Sequence, residues 1–165
     1  MTKETETIDG GLFNKRTRFM YDRLKGQVIV LKNPDRKEIK EVLDNAKTIA
    51  VVGLSPNPMR TSYMVSKAMQ DAGYRIIPVN PMADEVLGEK SYASLAEIPE
   101  AVDIVNVFRR SEFLPGIAED FLKIDAPVFW TQLNVVDEEV FNRLNAAGYT
   151  VIMDRCIKVE HAILK

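Results

Sequence analysis

The run Ile49-Ala50-Val51-Val52-Gly53-Leu54-Ser55-Pro56-Asn57-Pro58-Met59-Arg60-Thr61-Ser62 constrains the fold more than any other stretch of the chain. A short β-branched apolar run suits a central parallel strand covered on both faces. Gly53 removes the Cβ where the backbone must turn sharply or approach a ligand closely. Behind it, Thr61 or Ser62 stands where a helix is capped, and the first-turn N–H groups and dipole of such a helix favour an anion, with phosphate the first candidate. The turn holds one glycine where the G-x-G-x-x-G fingerprint has three, and it lacks the Gly-Lys-Ser/Thr ending of a P-loop. Pro56 and Pro58 stiffen it instead, and Arg60 adds a permanent charge with a planar donor fork suited to phosphate oxygens. The simpler alternative is an ordinary strand-to-helix turn with Arg60 in solvent.

Strand and helix patterns alternate after this point. Arg36 to Ala46 carries Ile39, Val42 and Leu43 at helical spacing, and Ser62 to Ala72 carries Val65, Ala68, Met69 and Ala72 before a C-capping Gly73. Arg75 to Val79 is the next strand and ends at Asn80-Pro81, where proline stops both ladder and helix. A short strand at Lys90 to Tyr92 and a helical turn from Ser94 follow. Asp103 to Phe108 reads as a strand, Ser111 to Lys123 as a helix capped by Ser111, and Pro127 to Trp130 as a strand. Asp137 to Ala147 is a helix ending at Gly148, Thr150 to Met153 the last strand, and a short helical tail runs through His161. This alternation implies an α/β, Rossmann-like three-layer domain, its mainly parallel sheet ordered 3-2-1-4-5 with helices on both faces. We place that domain at residues 35–165, preceded by an N-terminal arm at 1–34. In the arm, Lys15 to Arg23 is basic and Gln27 to Leu31 suits an edge strand; it reads either as a loosely attached arm or as one that packs on a second subunit.

Composition removes several function classes. With 165 residues, 46% hydrophobic and 28% charged, the chain is long enough for one full core, and a net charge of -2 argues against nucleic acid or an anionic membrane as partner. No segment reaches the ~18 apolar residues of a membrane span, and the polar start has no signal-peptide core, so a cytoplasmic protein is expected. Cys156 and His161 are the sole cysteine and histidine, which leaves little from which to build a zinc site or a Ser-His-Asp triad.

In a doubly wound sheet the ligand lies outside the carboxyl ends of the strands. That rule selects Gly53 to Ser62, Asn80-Pro81, Phe108-Arg109-Arg110 and Trp130 to Asn134. An NAD site wants an acidic side chain roughly 20 residues beyond the glycines to meet the ribose. Asn80 stands at that strand end, and an uncharged amide does not repel a phosphorylated ribose. Arginines around one crevice suit a ligand with several phosphates.

Taken together, these residues resemble a known family. From about Pro34 onward the chain is similar to the small stand-alone CoA-binding proteins, relatives of the CoA-binding domain of the succinyl-CoA synthetase alpha chain. The resemblance rests on Val52-Gly53-Leu54-Ser55 with Asn57-Pro58 and Arg60, on Pro78-Val79-Asn80-Pro81, and on Val86-Leu87-Gly88 with Tyr92 and Leu95. It continues through Val102-Asp103, Val107-Phe108-Arg109, Trp130-Thr131-Gln132 and Met153-Asp154-Arg155-Cys156 with Glu160-His161. It implies a Rossmann-like fold holding coenzyme A or an acyl-CoA, with the pyrophosphate at the first turn through Gly53, Ser55, Arg60 and Ser62; Leu54 and Thr61 of the same turn are also expected among the cofactor-binding residues. It further implies contacts from Asn80 and Pro81 and from Phe108 and Arg109, with Trp130 and Gln132 near the adenosine or pantetheine side. The synthetase also needs a domain bearing a phosphorylated histidine; His161 lies on the terminal segment, so that role is not carried over.

The one constellation that reads as reactive is Asp154-Arg155-Cys156 with Glu160-His161, where nearby positive charge would activate a thiol toward CoA. The simpler reading makes Cys156 a small core residue, Asp154 a helix cap and Arg155 a paired charge. The function expected is a binding or regulatory module for CoA or acyl-CoA, without evident catalysis of its own, acting as a homodimer or with a protein partner still to be identified. The alternatives are an NAD(P)-dependent oxidoreductase and a partner-dependent subunit of an acyl-CoA synthetase.

Overall fold

Short apolar runs joined by amphipathic helices can bury both kinds of element only if the strands pair in parallel between helical layers, and the chain folds this way. The computed structural model describes residues 17–22 and 26–165. In chain order its elements are β1 (Thr17–Asp22), β2 (Gln27–Lys32), α1 (Arg36–Asn45), β3 (Thr48–Val52), α2 (Thr61–Asp71), β4 (Arg75–Val79), β5 (Glu85–Val86) and β6 (Glu89–Lys90). There follow β7 (Ile104–Val107), α3 (Leu114–Leu122), β8 (Val128–Thr131), α4 (Glu138–Ala146), β9 (Thr150–Ile152) and α5 (Ile157–Leu164).

The main sheet has five strands in the order β4-β3-β7-β8-β9, every neighbouring pair parallel. Beyond β4, Tyr92 makes a single parallel bridge to Val79. Counting that bridge as the third element yields the expected 3-2-1-4-5 with one strand added; counting ladders alone, the order is 2-1-3-4-5. Pro78 lies in the edge strand β4, where its missing N–H costs no ladder bond, and its carbonyl accepts the Tyr92 N–H at 3.0 Å.

Successive strand residues face opposite layers. Ile49 and Val51 pack with Leu43 of α1, Val65 of α2, Trp130 and Ile157 of α5. Ala50 packs with Val105, Phe129, Phe121 of α3 and Leu144 of α4. The helix ends follow local chemistry. Asp35 and Glu38 form a reciprocal capping box at the start of α1, and Asp137 accepts the Val140 N–H at the start of α4. Ser111 does not cap a helix as expected. Residues Ser111–Phe113 form a 3-10 turn and α3 starts at Leu114, because Pro115, with no N–H and a fixed φ, belongs in the first helical turn.

Gln27 to Leu31 forms a strand, but it joins no edge of the main sheet. β2 pairs antiparallel with β1, and Ile29 and Leu31 face the core beside α4. The basic run Lys15 to Arg23 lies partly outside the described residues. Asn33, just past the hairpin, is fully buried and holds the backbone of Met153 at both ends: its Nδ2 donates to the Met153 carbonyl at 2.8 Å and its Oδ1 accepts the Met153 N–H at 2.9 Å. Among the described residues no helix is long and apolar enough to cross a membrane.

The Asn33 clasp yields a prediction. Asn33→Ala leaves both groups of Met153 buried without these partners and should lower unfolding free energy by about 2–4 kcal/mol. Urea denaturation of the variant measures this, and a loss under about 0.5 kcal/mol would assign the clasp no role.

Candidate functional site

All five strands of the parallel sheet end at one edge, and there the loops after β3, β4 and β7 surround a cleft of about 650 Å³. Gly53 forms its floor. This residue has φ +84, and a Cβ placed on it would lie 2.5 Å from the Phe108 carbonyl oxygen and 3.0 Å from Cδ of Arg109. The glycine therefore admits the backbone of the β7 loop rather than only a ligand. The Gly53 N–H is held by the Val79 carbonyl at 2.9 Å and the Phe108 N–H by the Val52 carbonyl at 2.8 Å, so the three strand ends are tied to one another.

The loop from Ser55 to Arg60 is held by its own polar groups. The Ser55 N–H donates to Ser62 Oγ at 3.0 Å, the Asn57 N–H to Ser55 Oγ at 3.1 Å and the Met59 N–H to Asn57 Oδ1 at 3.0 Å. Ser62 is thus a staple turned inward, not the expected helix cap. Arg60 occupies the N-cap position without a side-chain cap bond, which leaves the first-turn amides of α2 without the acceptor a cap supplies. The Arg60 side chain lines the cleft.

Asn80 joins two of the loops. Its Nδ2 donates to the Leu54 carbonyl at 2.9 Å and its Oδ1 accepts the Met82 N–H at 2.9 Å, while Ser91 Oγ donates to the Asn80 carbonyl at 3.0 Å. An aspartate there would lose the donor that holds Leu54, an additional reason for the amide that concerns no ligand. Pro81 and Met82 form the rim beside it. On the β7 side, Arg109 stacks over the Phe113 ring at 4.3 Å, and Arg110 pairs with Glu112 at 3.1 Å. Among the described residues, neither Arg60 nor Arg109 has a carboxylate partner. One carboxylate, Asp120 on α3, also lines the cleft and lies 3.5 Å from Lys123.

A second cleft of about 530 Å³ opens at the same edge, between the loops after β7 and β8, and shares Phe108 and Arg109 with the first. Thr61, Gln132 and Cys156 line it. Gln132 is largely buried, with Nε2 donating to Asn106 Oδ1 at 2.7 Å and Oε1 accepting the Ile157 N–H at 3.4 Å. A further cleft, about 720 Å³, lies at the amino ends of the strands around Asn33, Asp103 and Thr150, away from every residue selected by the switch-point rule.

The expected residues thus separate by position. Gly53, Ser55, Arg60, Asn80, Pro81, Phe108 and Arg109 meet around the first cleft, whereas Thr61 and Gln132 border the second. Leu54, Ser62 and Trp130 line neither. Leu54 is fully buried and contributes its carbonyl alone. Trp130 is sealed in the core with its indole N–H bound to the Arg155 carbonyl at 2.8 Å. Asp154 does not cap α5; its Oδ1 accepts the Asn134 N–H at 2.7 Å, and Cys156 takes the N-cap position. His161 packs edge-on against Tyr74, and Arg155 lies 3.8 Å from Glu160. Met82, Phe113 and Asp120 of the first cleft were not anticipated; an aromatic four residues after Arg109, within reach of its guanidinium, is a signal that could have found Phe113.

Residues 47–162 match the family described as "CoA binding domain". The chain belongs to this family. Within its reach, the uncharacterized protein YneT of Bacillus subtilis is 64% identical over 135 residues, covering 82% of this chain and 100% of that one. Subunit alpha of acetate–CoA ligase (ADP-forming) I from Pyrococcus furiosus is 34% identical over 86 residues, which are 48% of this chain and 19% of that subunit. The solved structure of cell-free ID.343 from Thermus thermophilus superposes with a TM-score of 0.77 at 36% identity, covering 80% of this chain and 100% of that one. The α/β architecture is thus that of the CoA-binding domains.

The floor of the site is testable through two glycines with similar positive φ. Gly148 has φ +95 with nothing within 4 Å of an added Cβ. Gly148→Ala should lose about 1–2 kcal/mol from backbone strain, and Gly53→Ala about 3–4 kcal/mol, because the Phe108 carbonyl must also move. Denaturant midpoints measure both; equal losses would show that the close approach carries no energy.

Proposed function

We propose that this chain binds coenzyme A or an acyl-CoA in the first cleft as a binding or regulatory module. The observation that carries the reading is the cleft itself, at the carboxyl ends of β3, β4 and β7, with two arginines on its wall that have no carboxylate partner among the described residues. Family membership supports CoA as the ligand.

In this reading Arg60 and the uncapped start of α2 hold the pyrophosphate, through charge-assisted bonds and the positive end of the helix dipole. Arg109 leaves the Phe113 ring to meet a phosphate. Because the Ser55 N–H is held by Ser62 Oγ, the turn offers its hydroxyl groups and arginine rather than a glycine-type cradle of amides. Asn80 and Pro81 shape the wall for the adenosine portion, and Met82 lies over it as an apolar cover. The Pyrococcus relative favours a second reading, in which the chain supplies a CoA site to a ligase of several subunits; co-purification with an ATP-binding subunit is its sign.

The test is to denature the purified protein, identify released small molecules by mass spectrometry, and titrate the stripped protein calorimetrically with CoA, acetyl-CoA and NAD. Binding of CoA and acetyl-CoA without NAD is expected, and binding of NAD alone would replace this function with a nicotinamide-dependent one. Arg60→Ala should cost about 1.5–3 kcal/mol of CoA binding, roughly 10- to 150-fold in Kd, with the urea midpoint unchanged. An unchanged Kd would remove Arg60 from the site.

A further inference from the structure

We infer that the second cleft is an acyl subsite, taking the short uncharged acyl group of a CoA thioester whose nucleotide fills the first cleft. This rests on the CoA reading above. The two clefts meet along Phe108 and Arg109, and the start of α2 lies between them, with Arg60 lining one and Thr61 the other. The clefts thus adjoin at the end of β7, and a ligand anchored by its phosphates at Arg60 has the shared Phe108-Arg109 wall beside it. The volume of the second cleft, about 530 Å³, lies within the roughly 300–1,000 Å³ of small-molecule pockets.

The wall determines what chemistry fits. Its polar groups are largely held by the protein: Ser111 Oγ accepts the Val136 N–H at 2.9 Å and donates to the Asn134 carbonyl at 3.4 Å. Both ends of the Gln132 side chain are bonded, to Asn106 and to the Ile157 N–H, and the Asn134 N–H is bonded to Asp154. Beside the Thr61 hydroxyl, the Asn134 side-chain amide and two arginines, the wall presents Phe108, Leu133, Val135 and Cys156 to a ligand. Leu133 is 55% exposed at the tip of a turn in which Asn134 adopts φ 65, a large apolar side chain held out at the mouth of the cleft. Of the cationic groups on this wall, Arg110 is paired with Glu112, and Arg109 is the one drawn to the phosphates. A dicarboxylic acyl group would have to draw the mostly exposed Arg110 from Glu112, or Arg109 from the phosphates, to pair its second carboxylate, whereas a short alkyl chain gains from burial against Leu133 and Val135.

The test compares the calorimetric affinities of CoA, acetyl-CoA, butyryl-CoA and succinyl-CoA for the wild-type protein and for Leu133→Asp. Butyryl-CoA should bind more tightly than acetyl-CoA, by up to about fourfold per buried methylene, and succinyl-CoA no more tightly than CoA. In Leu133→Asp the ratio of CoA to butyryl-CoA Kd values should fall toward one. Cys156, the only cysteine of the chain, provides an independent readout. Butyryl-CoA should slow its alkylation by iodoacetamide several-fold, and adenosine 3′,5′-bisphosphate, which lacks the pantetheine arm and acyl group, should not. Equal affinities for CoA and butyryl-CoA, with equal alkylation rates in the presence of butyryl-CoA and the bisphosphate, would overturn the acyl subsite while leaving CoA binding in place. If none of the four thioesters and thiols bound, the CoA reading itself would fall.

Discussion

The crossing of the β3 loop beneath the Phe108 carbonyl is the contact on which the architecture of the site depends. A side chain at residue 53 would collide with backbone, so the loops after β3 and β7 can come together only over a glycine. Once they do, the hydrogen bonds from Gly53 to Val79 and from Phe108 to Val52 bind three strand ends into a single rim. Asn80 extends the tie through Leu54 and Met82. The cleft is therefore formed by connections within the fold before any ligand arrives, and its arginines extend from a braced frame. Preorganisation of this kind reduces the ordering cost of binding.

The sheet was legible because buried parallel strands read as near-continuous apolar runs, as Ile49–Val52 and Ile76–Val79 do, and as Ile104–Val107 does with Asn106 alone interrupting it. The switch-point rule then selected residues of which seven meet around one cleft at the carboxyl edge of the sheet. Individual roles were harder to read. Trp130 and Leu54 sit in loop-proximal motifs that suggest ligand contact, yet each side chain fills the core, and neither periodicity nor residue type reveals which way a strand-end residue points. Ser62 and Ser111 looked like helix caps, but their hydroxyls reach the N–H groups of Ser55 and Val136 instead. These are bonds between loops, set by tertiary placement that local sequence does not encode. Asn33 was illegible for the same reason: its partner, Met153, is 120 residues away in sequence.

The two ends of the sheet divide the labour. At the amino ends, Asp103 accepts the N–H groups of Lys47 and Thr48, while Asn33 clasps Met153, just past the last residue of β9, against the hairpin side of the core. At the carboxyl ends lie two adjoining clefts, one with Arg60 and Arg109, which have no carboxylate partner among the described residues, and one with Leu133 and Val135 on its wall. A charged nucleotide joined to a flexible arm with an uncharged end matches this sequence of surfaces.

The central claim is that CoA occupies the carboxyl-end cleft, and the most direct measurement is a titration of the isotopically labelled protein with CoA, followed by backbone amide NMR. The account predicts that the largest shift changes fall on Gly53, Arg60, Thr61, Asn80, Met82 and Arg109. Changes centred instead on Glu41, Asn45, Asp103 and Thr150 at the amino-end cleft, or no changes at all, would contradict it.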